Sequence, residues 1–142
     1  MLSNIKVFKV ADEVNLKEVH EIRRIVFVEE QNCPPELEWE FEEESIHFLA
    51  LLNDTPAGAC RWRKTDLGIK LERFAVLREF RGNGVAQSLI TSVLNDIPIS
   101  ADCIYLNAQL QAMPLYEKFG FVKVGDEFEE AGIRHFKMVL KS

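Results

Sequence analysis

The sequence is poor in the residues that anchor several kinds of small protein. Only three cysteines occur in 142 residues. They are far apart and none belongs to a Cys-x-x-Cys pair, so we expect neither a disulfide framework nor a metal site. No apolar run approaches the roughly 20 residues of a transmembrane helix. The first ten residues lack the apolar core of a signal peptide, which predicts a cytoplasmic protein.

Positive charge is also scarce. The chain has 17 Lys and Arg against 23 Asp and Glu, a net charge of −6. This balance argues against general nucleic-acid binding and against a basic membrane-surface role. The sequence contains no repeat, linker or low-complexity stretch. We therefore expect one domain over residues 1–142, long enough to bury a substantial core.

Apolar periodicity predicts a mixed α/β, or α+β, fold. Asn15 is expected to cap a first helix, a second helix should follow the glycines near residue 84, and a short third helix should end at Gly120. Short connections favour an antiparallel meander among the second, third and fourth strands. The expected strands are Ile5–Val10, Ile46–Leu52, Ala57–Arg63, Gly68–Val76, Cys103–Gln109, Phe121–Val124 and Ile133–Leu140.

The turn between the fourth strand and the second helix has the composition of an anion site. Gly82 and Gly84 let the backbone approach a ligand closely, and Arg81 precedes them. The first N–H groups of a helix have no internal partner, and the helix dipole places positive potential there. Phosphate is the natural guest of such a turn, although the glycines alone also suit a simple tight turn.

Two common phosphate motifs do not fit this turn. A Walker A loop requires a Lys-Ser or Lys-Thr pair after the glycines, and none is present. A dinucleotide-binding fingerprint requires a third glycine or alanine where Gln87 stands, within an opening βαβ unit. Antiparallel strands are expected before this turn instead.

The segment Arg81–Ala86 resembles the pyrophosphate-binding signature R/Q-x-x-G-x-G/A of the GNAT N-acetyltransferase superfamily. The strand before it ends in Phe74–Val76, a later strand carries Asn107, and Tyr116–Phe121 reads Y-x-x-x-G-F, all as in that family. Ile22–Gln31 is similar to a bacterial subgroup of small, stand-alone members. The resemblance covers nearly the whole chain and is strongest over residues 71–121.

The resemblance implies a central, mostly antiparallel, splayed sheet flanked by helices, with acetyl-CoA as cosubstrate. Backbone N–H groups of the glycine turn would hold the pyrophosphate, and the pantetheine arm would run beside the fourth strand. It is also compatible with a homodimer through the last strands. The cofactor-binding residues that it implies are Phe74, Ala75, Val76, Arg81, Gly82, Asn83, Gly84, Val85, Ala86 and Asn107.

The same resemblance implies direct transfer of the acetyl group in a ternary complex. Tyr116 would act as the general acid that protonates the leaving thiolate, although it would also suit packing on the sheet. A backbone N–H around Ala75 or Val76 would polarise the thioester carbonyl. Cys103 begins a strand and is expected in the core, which disfavours a cysteine nucleophile.

Glu72 is the candidate general base. Simple alternation along the strand places it on the face of Phe74 and Val76, where it would reach the acceptor amine directly or through water. A strand carboxylate also suits pairing with a neighbouring cation. His47 and His135 lie on expected strands, where a lone histidine is more often structural than catalytic.

The acceptor amine itself cannot be read from the sequence. The acidic stretch Glu36–Glu44 suits a solvated loop or a lid whose negative field attracts a cationic amine. We expect a primary amine on a small molecule or a protein. The alternatives from other classes are a non-catalytic acyl-CoA-binding sensor or scaffold and a mononucleotide-binding domain.

Overall fold

The computed structural model describes residues 4–33, 41–98, 101 and 103–140. In these ranges the helices are α1 (Glu13–Arg23), which continues as a π-helical segment (Arg24–Glu30), α2 (Val85–Asp96) and the short α3 (Met113–Glu117). The strands are β1 (Ile5–Lys9), β2 (Ile46–Leu52), β3 (Thr55–Thr65), β4 (Gly68–Val76), β5 (Ile104–Gln109), β6 (Phe121–Glu130) and β7 (Ile133–Leu140).

The strands form one sheet in the order β1-β2-β3-β4-β5-β7-β6. Neighbouring strands are antiparallel except β4 and β5, which are parallel. These two strands pair only where Ile69–Leu71 lies beside Ile104–Leu106. Beyond that point, among the described residues, β4 pairs only with β3, and β5 pairs only with β7, so a gap opens between them in the middle of the sheet. The expected fold, a mixed, mostly antiparallel and splayed sheet flanked by helices, is confirmed.

Helices cover both faces of this sheet. On one face α2 buries Leu89, Ile90 and Val93 in the larger core cluster. On the other face α1 buries Val19 and Ile22 in a second cluster. These apolar residues recur at the three- and four-residue spacing of an amphipathic helix, which explains why each helix binds through one stripe. Within the described ranges, no helix has the length and apolarity needed to cross a membrane.

The start of α1 differs from the expected one. Asp12, in extended conformation, is the capping residue, and its side chain accepts a hydrogen bond of 2.8 Å from the Asn15 N–H. Asn15 is thus the residue that is capped, three positions into the helix. Both residue types cap helices well, so composition alone did not separate them.

A β-bulge interrupts β4 beside the gap. Arg61 of β3 lies opposite Glu72 of β4, and Ala59 lies opposite Ala75. The chain therefore advances two residues on β3 and three on β4. Arg73, within the bulge, has a φ of 59°, in the left-handed region that non-glycine residues rarely adopt.

The bulge corrects the expected position of Glu72. Leu71, Phe74 and Val76 all pack against the core cluster beneath α2. Because neighbouring strand residues point to opposite faces, Glu72 lies on the α1 face, together with Arg61. Glu72 does not share a face with Phe74 and Val76, because the extra residue reverses the alternation between them.

Candidate active site

A cavity of about 220 Å³ extends into the gap between β4 and β5. Its lining includes Glu72 and Phe74 from β4, Asn107 from β5, Tyr116 from α3 and His135 from β7. The cavity thus touches residues from both faces of the sheet. It is the place where side chains that are distant in sequence meet, and five of the sequence-derived candidates reach it.

Tyr116 lies at the apolar end of this cavity. Its ring makes edge contacts with Phe74 and Phe121, with ring centroids 5.7 and 6.1 Å apart. The residue is only 7% exposed. Burial raises the pKa of the Tyr116 hydroxyl well above its ordinary value, and the nearby Cys60 thiol adds to the shift. The hydroxyl therefore keeps its proton at neutral pH.

The glycine turn has the backbone conformation of a ligand cradle. Gly82 and Gly84 have φ values of 82° and 87°. Gly84 precedes α2, and no side chain caps the helix there. The Ser88 N–H makes the first helical bond, to the Gly84 carbonyl, so the N–H groups of Val85, Ala86 and Gln87 have no partner within α2. The space beside the turn is open, because a Cβ on Gly82 would meet nothing within 4 Å.

The Arg81 side chain is paired within the protein and is not directed at a ligand in this turn. Its guanidinium makes two 2.8 Å hydrogen bonds to Glu30 and one of 2.9 Å to the Val76 carbonyl. The pKa of Glu30 is lowered, chiefly by the hydrogen bond from Arg81. The side chain thus ties the turn to the end of the π-helical segment. Its expected contact with pyrophosphate has no support in this geometry.

The edge of β4 is open where the cofactor arm is expected. β4 pairs with β5 only as far as Leu71, so on the gap side the stretch Phe74–Val76 has no strand neighbour among the described residues. Asn107 is the first residue of β5 beyond the paired region, and it lines the cavity. An extended ligand inserted here would add a strand to an exposed edge.

Glu72 is fully engaged with cations. Arg61 and Arg63 lie 2.8 and 2.6 Å from its Oε1, and the Lys70 ammonium lies 3.2 Å from its Oε2. Burial alone would raise the pKa of Glu72, but the charges of Arg61 and Lys70 and the hydrogen bond from Arg63 lower it to about 2. Such a carboxylate is a very weak base. The structure therefore favours Glu72 as the partner of neighbouring cations over Glu72 as a general base.

The Glu42 carboxylate joins this ionic cluster to α1. Glu42 Oε1 lies 2.7 Å from both Arg23 of α1 and Arg61 of β3. Its Oε2 lies 2.5 Å from His20 and 3.5 Å from His47. Glu42 therefore points into the protein. Residues 36–40 of the acidic stretch lie outside the described residues, so the expected role of the stretch as a lid is not tested.

Sequence reasoning missed the cationic wall of the cavity. Arg61, Arg63, Lys70 and Glu72 occupy alternate positions on two paired strands, which places them on one face. The sequence did contain a signal for this wall, the alternate charged residues in "RWR" and "KLE". These residues become neighbours only when the two strands are paired as a hairpin, so neither strand alone indicates the wall.

His135 faces the cavity in a defined orientation. Its Nδ1 lies 2.7 Å from the Ile133 carbonyl, which can only accept a hydrogen bond, so Nδ1 carries the hydrogen. In the neutral ring the lone pair is then on Nε2, 3.7 Å from Glu130. The ring stacks on Phe128 at an interplanar angle of 21°. This arrangement leaves Nε2 as a proton acceptor.

Comparison with known proteins gives a consistent family. The model of a family described as acetyltransferase (GNAT) domain matches residues 11–142. The uncharacterized N-acetyltransferase YjcF of Bacillus subtilis (strain 168) is 41% identical over 132 residues, covering 90% of this chain and 94% of that protein.

Solved structures agree with the fold. The crystal structure of Escherichia coli ElaA matches with a TM-score of 0.79 and 26% identity, covering 99% of this chain and all of that one. A GNAT family acetyltransferase from Elizabethkingia anophelis, with acetyl-CoA bound, matches with a TM-score of 0.70 over 98% of this chain and 99% of that one. At 14% identity the second likeness concerns the fold alone.

Proposed function

Because the chain belongs to the GNAT acetyltransferase family, we propose that it transfers an acetyl group from acetyl-CoA to a primary amine of a small molecule or protein. The observation that carries the proposal is the cavity in the gap of the sheet. It brings Phe74, Asn107 and Tyr116 to one place beside an open strand edge. A thioester in the gap would therefore lie next to a buried hydroxyl donor.

The cofactor would be held mainly by backbone. The unpartnered N–H groups at the start of α2, with those of Gly82–Gly84, would bind the pyrophosphate. The pantetheine amides would pair with the open edge at Phe74–Val76, and Asn107 would contact the arm from β5. The acetyl-CoA bound to the Elizabethkingia neighbour supports the choice of cosubstrate.

The transfer requires one new C–N bond and one broken C–S bond. The amine attacks the thioester carbonyl, and a backbone N–H near Ala75 or Val76 stabilises the oxyanion that forms. The C–S bond then breaks, and Tyr116 donates its hydroxyl proton to the departing thiolate. The Tyr116 hydroxyl is protonated at neutral pH and is therefore a proton donor, although the burial that raises its pKa also makes it a weaker acid.

His135 is the residue best placed to remove the proton of the amine. The residue lines the cavity, its neutral ring has a lone pair on Nε2, and the Glu130 carboxylate nearby would stabilise the imidazolium that results. A free alkylamine such as lysine, with a pKa near 10.4, is almost fully protonated at neutral pH, so a proton acceptor accelerates the attack. Glu72, with its low pKa, is too weak a base for this step.

We propose direct transfer in a ternary complex, and Cys33 allows a test against transfer through an acetyl-cysteine. Cys60 is fully buried and burial raises the pKa of its thiol, while Cys33 lines the cavity. Direct transfer predicts that Cys33→Ala keeps most of the turnover and that both substrates must bind before CoA is released. Ping-pong kinetics that disappear in Cys33→Ala would indicate an acetyl-cysteine intermediate instead.

The decisive experiment is a broad amine screen that follows release of the free CoA thiol. Turnover with at least one amine, together with acetyl-CoA binding by calorimetry, supports the proposal. Acetyl-CoA binding without thiol release for any small amine or peptide would favour the alternative, a non-catalytic acyl-CoA sensor or scaffold. Stabilisation by ATP but not by CoA would favour a mononucleotide-binding domain.

A further inference from the structure

The wall of the cavity on the α1 face carries two cations at directly opposed positions. Arg63 of β3 and Lys70 of β4 are cross-strand partners. Their side chains are only 11% and 14% exposed, and both line the cavity. Like charges directly opposite each other destabilise a sheet, and the loss of water increases the repulsion. A negative charge near Arg63 and Lys70 would offset the repulsion between them.

The described part of the chain supplies little of that compensation. Among the residues that the structure describes, Glu72 is the one carboxylate that contacts Arg63 or Lys70. Glu72 is also shared with Arg61 from the buried side. The Glu72 carboxylate thus contacts three cations, of which Arg61 also pairs with Glu42, and these contacts lower its pKa. Arg63 and Lys70, which line the cavity together with Arg73, retain capacity for a further anion.

The donor geometry suits an oxyanion. Arg63 uses its Nε–H for Glu72, and its guanidinium lies 3.9 Å from the centroid of the Phe41 ring. The stacking contact fixes the plane of the guanidinium and leaves its terminal N–H groups for another acceptor. The Lys70 ammonium uses one of its three donors for Glu72. A planar fork beside a point charge is a common way to bind carboxylate or phosphate.

We propose, on the basis of the function proposed above, that the acceptor is a small amine that also carries an oxyanion, a carboxylate or a phosphate. Arg63 and Lys70 bind the oxyanion, while the amine reaches the thioester beside Tyr116. Arg63, Lys70 and Tyr116 line the same cavity, so a single small molecule would present both groups. Its volume of about 220 Å³ is below the range of roughly 300–1,000 Å³ for drug-sized ligands.

The test compares acceptors that differ only in the anionic group. Each common L-amino acid is assayed beside its carboxamide, and O-phosphoethanolamine is assayed beside ethanolamine. We expect at least one anionic member to have a kcat/KM well above that of its neutral partner. The carboxylate and phosphate arms then identify the group. Neutral partners that react as well or better throughout the panel would overturn the proposal.

Two charge-removing variants locate the effect. Arg63→Met and Lys70→Met keep side-chain length and should each reduce the preference for the anionic member by roughly 10- to 100-fold, the value of a charge-assisted hydrogen bond. Lys64→Met is the matched control, because Lys64 lies next to Arg63 on β3, is exposed and does not line the cavity. A preference that survives in both cavity variants would contradict the assignment. If neither variant folds, the wild-type panel still decides.

A binding measurement separates this proposal from the proposed activity. The panel is titrated by calorimetry into protein saturated with CoA, in which no transfer takes place. Binding of anionic amines that is lost in Lys70→Met, without turnover of any acceptor, would retain the oxyanion site and reject the transferase activity. Turnover of neutral amines alone, with no binding of anionic ones, would retain the activity and reject the oxyanion site.

Discussion

Tyr116 is the residue at which the proposed chemistry is tested most directly. Tyr116→Phe removes one oxygen and keeps the ring contacts with Phe74 and Phe121, so the fold should persist. General acids contribute about 10²–10⁴-fold. A thiolate is already a fair leaving group, so we expect a loss of roughly 10- to 10³-fold in kcat. Single-turnover release of CoA measures it, and the acetyl-CoA dissociation constant should not change.

The acid role of Tyr116 predicts a dependence on the leaving group. Acyl donors whose thiol has a lower pKa need less protonation, so they should narrow the gap between wild type and Tyr116→Phe. If the variant stays within about twofold of wild type while chemistry is rate-limiting, Tyr116 is a packing residue. Water would then be the proton source.

His135 offers a second test at the residue scale. His135→Phe keeps a ring to stack on Phe128 and removes the proton acceptor, so kcat should fall about 100-fold with an alkylamine acceptor. The loss should shrink at high pH, where more of the amine is already neutral. Phe128→Leu is the control for lost stacking. An equal loss at every pH would assign His135 a structural role only.

The turn before α2 is the element that the cofactor proposal depends on. Gly84→Glu places a carboxylate where the pyrophosphate should bind, and the two anions repel each other. Gly84→Ala is the matched control, since it has the same strain at φ 87° without the charge, and its Cβ would lie 3.9 Å from Ile5. We expect the affinity for CoA, measured by calorimetry, to fall at least 100-fold in the glutamate variant and far less in the alanine variant. Similar affinities in the two variants would reject the pyrophosphate site.

Elements with a clear period were predictable from the sequence. Ile46–Leu52, Gly68–Val76 and Ile133–Leu140 begin and end where the apolar pattern and the turn residues predicted. β6 extends six residues beyond the predicted end at Val124, because it pairs with β7 across a bulge through polar residues. Partner strands hold such a segment where hydrophobic alternation gives no signal.

The candidate site was harder to predict, because it depends on irregular and long-range features. The bulge at Arg73 adds one residue to β4 and moves Glu72 to the other face, and nothing in the local alternation signals it. The pair of Arg81 with Glu30 joins residues 51 positions apart. A motif identifies a residue type at a position, but the partner that occupies its side chain comes from tertiary contacts.

At the scale of the whole molecule, the sign of the charge in the cavity is opposite to the sign of the net charge. The chain has a net charge of −6, yet its cavity wall presents Arg63 and Lys70. Exposed charges are screened beyond about 8–10 Å at physiological ionic strength. The wall therefore acts at short range, on a ligand already inside the cavity. Selection of an anionic acceptor should appear as slower dissociation rather than faster association.

The ionic cluster around Glu72 links β3 with β4 and makes stability depend on pH. The pKa of Glu72 is about 2 in the folded protein against an ordinary 4.5. A lowered pKa contributes stability that is fully present above about pH 4.5 and is lost as the pH falls toward 2. The shift corresponds to about 3 kcal/mol at pH 7.

Glu72→Gln removes this contribution and leaves the buried Arg61 without that partner, so the free energy of unfolding at pH 7 should fall by about 3–5 kcal/mol. Urea unfolding from pH 7 down to pH 2.5 measures it. The difference between wild type and Glu72→Gln should narrow steadily as the pH falls, because protonation removes the same charge from the wild type. Glu127→Gln, at an exposed pair with Arg134, is the control and should change stability little at any pH. A Glu72→Gln deficit that stays constant over the whole range would show that packing, and not the ionised carboxylate, holds this corner of the sheet together.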